Sequence, residues 1–484
     1  MNPVPSEKKR WLAFVIVCLG AFMIVLDTTI VNVALPSIKQ DLGFTDASLA
    51  WVVNAYMLTF GGFLLLGGRL GDLFGQRRLF LIGTVLFTLA SLACGLSTSK
   101  ESLIVARATQ GLGGAIVSAV ALSLIVNLFP EPAERAKAMG FYGFVAAGGG
   151  SVGVLLSGLI TNSLDWHWIF LVNIPVGLAV FALCRALLAK DAPPSGASRL
   201  DVAGALTVTS ALFLAVYAIV NGNQVGWSAN RTLGMLAASG VLLAVFLLIE
   251  SRVRDPLMPL GLFRIRNVAV SNVVGVFWAA AMFAWFFLSA LYLQLVLGYS
   301  QLQVGLAFLP ANLIMAVFSL GLSAKIVMRF GIRKPLGVGL LLAAAGLALF
   351  ARAPVEGTFL LDVLPGMVLL GLGAGMAFNP VLLAAMRDVA PSDSGLASGV
   401  VNTSFMMGGA VGLASLASLA DARAADALAQ GAIVQVALNH GYHAAFLVGA
   451  LFAALAALLG AGLLRASSPV PQGAPPTALA EAGV

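Results

Sequence analysis

Long apolar runs dominate the chain, separated by short charged or Pro- and Gly-rich breaks. Each run is long enough to cross a hydrocarbon core about 30 Å thick as an α-helix. The pattern therefore predicts an all-α polytopic membrane protein. Counting the runs predicts fourteen spans, at about 11–35, 48–68, 79–97, 102–128, 139–162, 167–188, 200–221, 231–250, 268–297, 305–329, 335–353, 360–384, 395–420 and 442–465.

An internal repeat divides these spans into two sets of six. The sequence FGQRR after span 2 is similar to FGIRK after span 10. One unit of the repeat is therefore six spans, which leaves spans 7 and 8 as an insert. We predict four regions: an N-terminal six-helix bundle over 1–188, a linker with two inserted helices over 189–267, a C-terminal six-helix bundle over 268–465, and a disordered cytoplasmic tail over 466–484.

Composition and charge agree with a membrane protein. Hydrophobic residues make up 60% of the chain and charged residues 10%, whereas a soluble domain is nearer half apolar and a quarter charged. With the N-terminus inside, twenty-one of the 27 Lys and Arg residues fall in cytoplasmic segments and five in outer loops. This positive-inside bias predicts that both termini are cytoplasmic. It also accounts for the net charge of +7 without nucleic-acid binding.

Asp27 is the first candidate for chemistry, because it lies within span 1, about eight residues from its outer end. A carboxylate within a span costs about 2.5–3.5 kcal/mol on insertion scales, so it must face a polar cavity, pair with a cation or carry a proton. Burial and a nearby cation act in opposite directions on the proton affinity of a carboxylate. A proton-coupled transporter needs that property. A structural ion pair or cap is the alternative.

Arg107 is the second candidate, about five residues inside span 4. Its depth of roughly 7.5 Å is comparable to the roughly 12 Å of Asp27, at 1.5 Å per residue. The two are within reach of pairing if spans 1 and 4 face one cavity, and the permanent charge of the guanidinium would then adjust the proton affinity of Asp27. An arginine that reaches the outer interface is the alternative.

The loop between spans 2 and 3, GRLGDLFGQRR, is a candidate conformational latch. Its glycines permit a tight turn, and an acid at a helix end can meet a neighbouring helix N-terminus or an arginine. Topology-setting charge is the alternative. The latch residues are Gly68, Asp72, Gly75, Arg77 and Arg78.

Two further sets of residues carry predictions. Gly149, Gly153 and Gly158 in span 5 include a small-xxx-small pattern that permits close helix packing. A substrate cavity is predicted from polar or aromatic residues within spans, although lipid contacts explain the aromatic ones nearly as well. The cavity candidates are Asp27, Asn32, Trp285, Gln294 and Asn312.

Taken together, these motifs resemble the major facilitator superfamily, in particular its fourteen-helix drug:proton antiporter branch. LDTTIVNVALP in span 1, GRLGDLFGQRR after span 2 and RATQG in span 4 carry the resemblance. It implies two six-helix bundles around a central cavity, alternating access, a monomer, and a role for Arg107 in proton transfer. Span 5 departs from the branch, since Val154 and Ser157 fall in the motif that usually reads Gly-Pro and then Gly-Gly.

The leading functional hypothesis is proton-coupled export of amphipathic, often cationic drugs across a bacterial inner membrane. Its partners would be small amphipathic substrates, protons and the lipid bilayer. A carrier of one dedicated solute, such as a lipid-like metabolite, an antibiotic or an organic acid, is the alternative. The chain has three histidines and lacks a phosphate-binding Gly-x-x-x-x-Gly-Lys-Ser/Thr loop. We therefore expect no enzyme activity, no cofactor and no metal.

Overall fold

The structure is a computed structural model that describes residues 7–129, 131–188, 200–253, 256–386, 388–389 and 394–465. The described chain is helical, without strands. The predicted linker at 189–199 and the predicted tail at 466–484 lie outside the described residues. Twelve helices within the described part are long and apolar enough to cross a membrane by length and composition.

Fourteen main helices correspond to the fourteen predicted spans, and they confirm the predicted fold class. The first six are α1 (Glu7–Leu42), α2 (Trp51–Phe74), α3 (Gln76–Gly95), α4 (Lys100–Leu128), α5 (Pro132–Ser163) and α6 (Asn173–Leu187). The next two are α7 (Val202–Val225) and α8 (Asn230–Arg252). The last six are α9 (Arg266–Leu291), α10 (Gln301–Val317), α11 (Arg333–Phe350), α12 (Leu364–Met386), α13 (Ser394–Ala429) and α14 (Val434–Leu463).

The helix of span 10 is interrupted, which the apolar pattern did not predict. α10 passes through a π-helical turn, Phe318–Leu322, into a further helix, Ser323–Phe330. Gly321 has a φ of 114° there, a left-handed conformation that glycine adopts readily. The predicted span over 305–329 falls within this helical stretch, but the π-helical turn inside it was not predicted, because hydropathy does not report backbone conformation.

The helices pack in a repeated arrangement. Among the first six, α4 packs against α2 and α3, and α1 packs against α5. Among the last six, α12 packs against α11, and α13 packs against α9. Two seams join the sets: α5 lies along α10, and α2 lies along α13. In the following text, the outer side is the side of the membrane on which α1 ends.

The span-5 glycines lie at two of these close contacts. A Cβ on Gly149 would lie 3.2 Å from the Val25 side chain, and one on Gly153 would lie 2.9 Å from the Leu26 carbonyl oxygen, both on α1. A Cβ on Gly158 would lie 2.8 Å from the carbonyl oxygen of Gln301 at the start of α10. Because these three glycines carry no side chain, α5 packs closely both within the first bundle and across the α5–α10 seam.

The inserted helices lie on the second seam. α7 packs against both α2 and α13, and α8 packs against α7. Trp51 of α2 stacks on Phe213 of α7 with ring centroids 5.8 Å apart. Asn223 of α7 donates to the Ser418 carbonyl oxygen of α13 at 2.7 Å. The hairpin of α7 and α8 therefore contacts both sets of six helices.

Candidate proton-coupling site

Asp27 and Arg107 form a buried ion pair. Asp27 Oδ2 lies 2.6 Å from Arg107 Nη1. The exposed fraction is 0% for the Asp27 side chain and 1% for that of Arg107. The two residues that the sequence placed at similar depth are therefore in direct contact between α1 and α4.

The second oxygen of Asp27 belongs to a wider polar network. Asp27 Oδ1 accepts hydrogen bonds from Gln110 Nε2 at 2.7 Å and from Asn173 Nδ2 at 3.0 Å. Ser91 Oγ accepts from the same two amides and donates to the Phe170 carbonyl oxygen at 2.9 Å. Helices α1, α3, α4 and α6 each contribute a side chain, so the position of the carboxylate depends on how all four helices pack.

The Arg107 guanidinium is held on several sides. Nε donates to the Val52 carbonyl oxygen at 2.9 Å, and Nη1 also donates to Gln110 Oε1 at 2.6 Å. The guanidinium carbon lies 4.5 Å from the centroid of the Tyr56 ring and 5.6 Å from that of Phe170. Such cation–π contacts stabilise a desolvated arginine. The cation therefore has a fixed place that does not depend on Asp27 alone.

Local sequence explains how α4 presents this site. Ser99 and Ser102 form a capping box that begins α4, and the i, i+3 spacing then sets Arg107 and Gln110 on one helix face. Gly111 faces α2 so closely that a Cβ there would collide with the Tyr56 carbonyl oxygen. The small residue brings α4 within reach of the Val52 carbonyl.

The network lies inside the first six helices and not between the two sets. Within the described residues, the hydrogen-bond partners of the Asp27 carboxyl group come from α4 and α6, and the group is enclosed. Protonation of Asp27 would remove the charge that balances Arg107 and leave the guanidinium with only neutral acceptors. The contacts of Asp27 therefore tie its charge to the packing of α1 against α4 and α6.

Sequence reasoning missed three members of this network, Ser91, Gln110 and Asn173. Gln110 stands in the RATQG motif, so its place one turn beyond Arg107 was an available signal. Ser91 and Asn173 are polar residues within apolar runs, and only the rotation of their helices distinguishes them from other such residues.

Among the described residues, none of the other predicted cavity residues forms a hydrogen bond with the Asp27 network. Trp285 is buried and packs on Phe286 with ring centroids 4.3 Å apart. Asn312 is buried in the middle of α10, and Asn32 donates to the Thr28 carbonyl oxygen of its own helix at 3.3 Å. Sequence gives the depth of a residue in a span but not the face of the helix on which it lies.

Gln294 lies instead at the outer ends of the two bundles. It donates to the Val33 carbonyl oxygen of α1 at 2.9 Å, and Gln301 donates to Ser37 Oγ at 3.1 Å. Both residues line a cavity of about 460 Å³ beside Lys39. These hydrogen bonds join α1 to the last six helices on the outer side.

The predicted latch residues lie at a turn that has an equivalent in the second bundle. Gly75 has a φ of 93°, and Arg77 Nη2 donates to the Arg185 carbonyl oxygen at the end of α6 at 2.9 Å. Gly331 and Arg333 repeat this arrangement at the end of α14, where Arg333 Nε donates to the Ala461 carbonyl oxygen at 2.8 Å.

In the first bundle, Arg77 therefore caps a helix of its own bundle. Gly68 faces open space, and Arg78 is exposed. The side chain of Asp72 lies outside the described residues. A latch at these residues stays a prediction.

The fold and the motifs define the class of protein. The chain belongs to the major facilitator superfamily, whose sequence profile matches residues 17–413. Members of this family are multi-pass membrane transporters. In agreement, the fold is similar to the crystal structure of a bacterial homologue of the human lysosomal transporter Spinster, with a TM-score of 0.68, 16% identity, and coverage of 96% of this chain and 100% of that one.

Relatives with higher identity carry antibiotic resistance and export names. The chain is 40% identical over 453 residues to the puromycin resistance protein pur8 of Streptomyces alboniger, covering 92% of this chain and 90% of that protein. It is 39% identical over 407 residues to the cephamycin export protein CmcT of Amycolatopsis lactamdurans, covering 84% of each.

Proposed function

We propose that this chain is a proton-coupled exporter of amphipathic antibiotics and other drugs in a bacterial inner membrane. The observation that carries the proposal is the enclosed Asp27–Arg107 pair, a carboxylate within a span whose charge is balanced by one cation. The names of the resistance and export relatives support the direction of transport and the substrate class. The chain would act as a monomer with both termini in the cytoplasm, as the distribution of Lys and Arg favours.

Transport would proceed by alternating access. The bundles at 1–188 and 268–465 would rock about the α5–α10 and α2–α13 seams, with the hairpin in 189–267 following the second seam. The hydrogen bonds of Gln294 and Gln301 to α1 would break when the outer side opens. Asp27 would take up a proton from the outside in that state and release it to the cytoplasm, since each charge that moves through 100 mV supplies about 2.3 kcal/mol.

An aromatic cluster beside the α2–α13 seam supports the proposal that the exported drugs include aromatic compounds. Phe405 of α13 lies with ring centroids 5.9 Å from Phe283 of α9 and 5.9 Å from Phe378 of α12. Phe378 is 42% exposed, and the opposite face of α12 packs against α11, where a Cβ on Gly373 would lie 2.7 Å from Ala343 N. Phe378 therefore points away from α11.

The first bundle reaches the same place. Met57 of α2 and Phe283 both lie within van der Waals distance of Gly409 on α13. Aromatic rings and a methionine side chain offer an adaptable apolar surface for planar and cationic groups. We assign substrate contact to Phe283, Phe378 and Phe405, next to the seam at which the bundles move.

Phe405→Ala tests both the function and this surface. Inverted membrane vesicles that are acidified inside should accumulate ethidium and puromycin with the wild-type protein, and a protonophore should abolish the accumulation. Each lost ring contact weakens binding by about 1 kcal/mol, so Phe405→Ala is expected to raise the apparent KM for ethidium by about fivefold or more. Phe277→Ala is the matched control. Phe277 pairs with Phe452 of α14, with ring centroids 5.6 Å apart, and does not belong to the cluster of Phe283, Phe378 and Phe405.

Equal KM values for wild type, Phe405→Ala and Phe277→Ala would contradict the assigned surface. Vesicles that accumulate none of the compounds despite normal protein levels would contradict drug export. The alternative function, a carrier of one dedicated antibiotic, is favoured by the name of the cephamycin export protein. It predicts transport of a single compound from a panel of unrelated drugs, with no transport of ethidium.

A further inference from the structure

The inserted hairpin carries two buried acids at the end opposite the outer side. Asp201 caps the start of α7, where its Oδ1 accepts from Gly204 N at 2.7 Å. Glu250 lies in the last turn of α8, and its Oε2 accepts from Met258 N at 2.9 Å. The exposed fraction is 4% for Asp201 and 3% for Glu250. Neither residue belongs to the Asp27 network.

The remaining oxygens of the two carboxyl groups face the same place, beside Gly204, and the two side chains interact there. Glu250 Oε1 lies 2.9 Å from the position that a Cβ on Gly204 would occupy, and Asp201 Oδ2 lies closer still. Among the described atoms, neither oxygen has another hydrogen-bond partner. Two carboxylate oxygens are both acceptors, so they repel each other unless one of them carries a proton.

Among the described residues, no salt bridge balances either carboxyl group. The groups that act on the Glu250 carboxyl are the Met258 N–H and Asp201. Leu66 of α2, Ala205 of α7 and Leu257 after α8 form an apolar cluster at this end of the hairpin. Arg252 of α8 is exposed to solvent, and residues 254 and 255 lie outside the described part. A pair of charged carboxylates in such a place is costly.

We propose that Asp201 and Glu250 share one proton and form a second proton-binding site, at the end of the hairpin that the proposed topology assigns to the cytoplasm. The electrostatic field at the ends of α7 and α8 determines which of the two carboxyl groups carries the proton. Asp201 lies at a helix N-terminus, which favours a negative charge, and Glu250 lies at a helix C-terminus, which disfavours one. Glu250 therefore holds the proton and donates it in a hydrogen bond to Asp201.

The shared proton fastens the segment that leads into α9. Met258, whose N–H the Glu250 carboxyl accepts, packs against two apolar clusters. One contains Val208, Phe246 and Met407, and the other contains Leu262, Val268 and Val400. Loss of the proton places two negative charges side by side between α7 and α8. The cytoplasmic end of the hairpin then loosens from the α2–α13 seam as the pH rises.

Infrared spectroscopy of the full-length protein in proteoliposomes tests this site without a transport assay. The Asp27→Asn background removes any contribution from the first site. The Asp27→Asn protein is expected to show the carbonyl stretch of a protonated carboxyl group, and this band should disappear as the pH is raised. Glu250→Gln should remove this band, and Glu356→Gln, which changes an exposed Glu, should leave it in place. Size-exclusion profiles identify any variant that fails to fold.

Asp201→Asn distinguishes a shared proton from an isolated buried acid. Because it removes the neighbouring negative charge, it is expected to move the midpoint of the band down by about one pH unit or more. An unmoved midpoint would contradict sharing, and a band that survives Glu250→Gln would contradict the site. Should the site exist without drug export, the infrared result would stand while vesicle uptake failed, so the two proposals fail separately.

Discussion

Asp27→Ala is expected to lower the free energy of unfolding by about 3–5 kcal/mol, because it leaves the Arg107 guanidinium buried without its counter-charge. A guanidinium cannot give up its proton in a protein. Arg107→Ala is expected to cost less, because the stranded Asp27 carboxyl group can take up a proton and become neutral. The asymmetry follows from the chemistry of the two side chains and not from their contacts.

The double variant Asp27→Ala/Arg107→Ala completes the cycle. Removing both charges should recover part of the stability that Asp27→Ala loses, since no unpaired charge remains. Thermal unfolding in detergent, followed by the fluorescence of the tryptophans, measures all four proteins. A double variant that unfolds at a lower temperature than Asp27→Ala would contradict the account of a charge pair buried in the first bundle.

Asp27→Asn is expected to abolish transport driven by a pH gradient. Asparagine has nearly the shape of aspartate, but it cannot exchange a proton in the physiological pH range. Gradient-driven uptake of ethidium into inverted vesicles should fall to the background of empty vesicles. Binding of ethidium to the purified variant should persist, because the assigned substrate surface at Phe283, Phe378 and Phe405 does not include Asp27.

Asp41→Asn is the matched control for this loss. Asp41 lies at the outer end of the same helix and accepts a hydrogen bond from Trp166 Nε1 at 3.0 Å, so its variant should retain gradient-driven uptake. Uptake by Asp27→Asn at the wild-type rate would place the coupling carboxylate elsewhere. Asp362 is a poor substitute, because its Oδ2 already accepts from Thr358 N at 2.7 Å in the first turn of a helix.

The sequence predicted the fold well because hydropathy and repetition carry most of its information. The apolar runs predicted the number of spans, and the repeated FGQRR and FGIRK turns predicted two similar halves. In the structure, Arg77 and Arg333 make equivalent hydrogen bonds in those halves. The break at Gly321 was not predictable, because it depends on backbone conformation within an apolar run.

The candidate site was predictable only in part. Asp27 and Arg107 stood out because charges within spans are costly and both lie at similar depth. Depth does not specify helix rotation, so Trp285 and Asn312 were grouped with Asp27, and a substrate cavity at these residues stays a prediction. Asp201 and Glu250 escaped notice because each stands near a span end, where acids are ordinary. Only the packing of α7 against α8 brings them together.

Proton release on substrate binding tests most directly whether Asp27 carries the coupled proton. Purified protein in weakly buffered detergent solution, with a pH indicator, is mixed with saturating ethidium. Wild type and Glu356→Gln are expected to release protons, whereas Asp27→Asn, with normal ethidium binding, releases none. Undiminished proton release from Asp27→Asn would contradict the central claim.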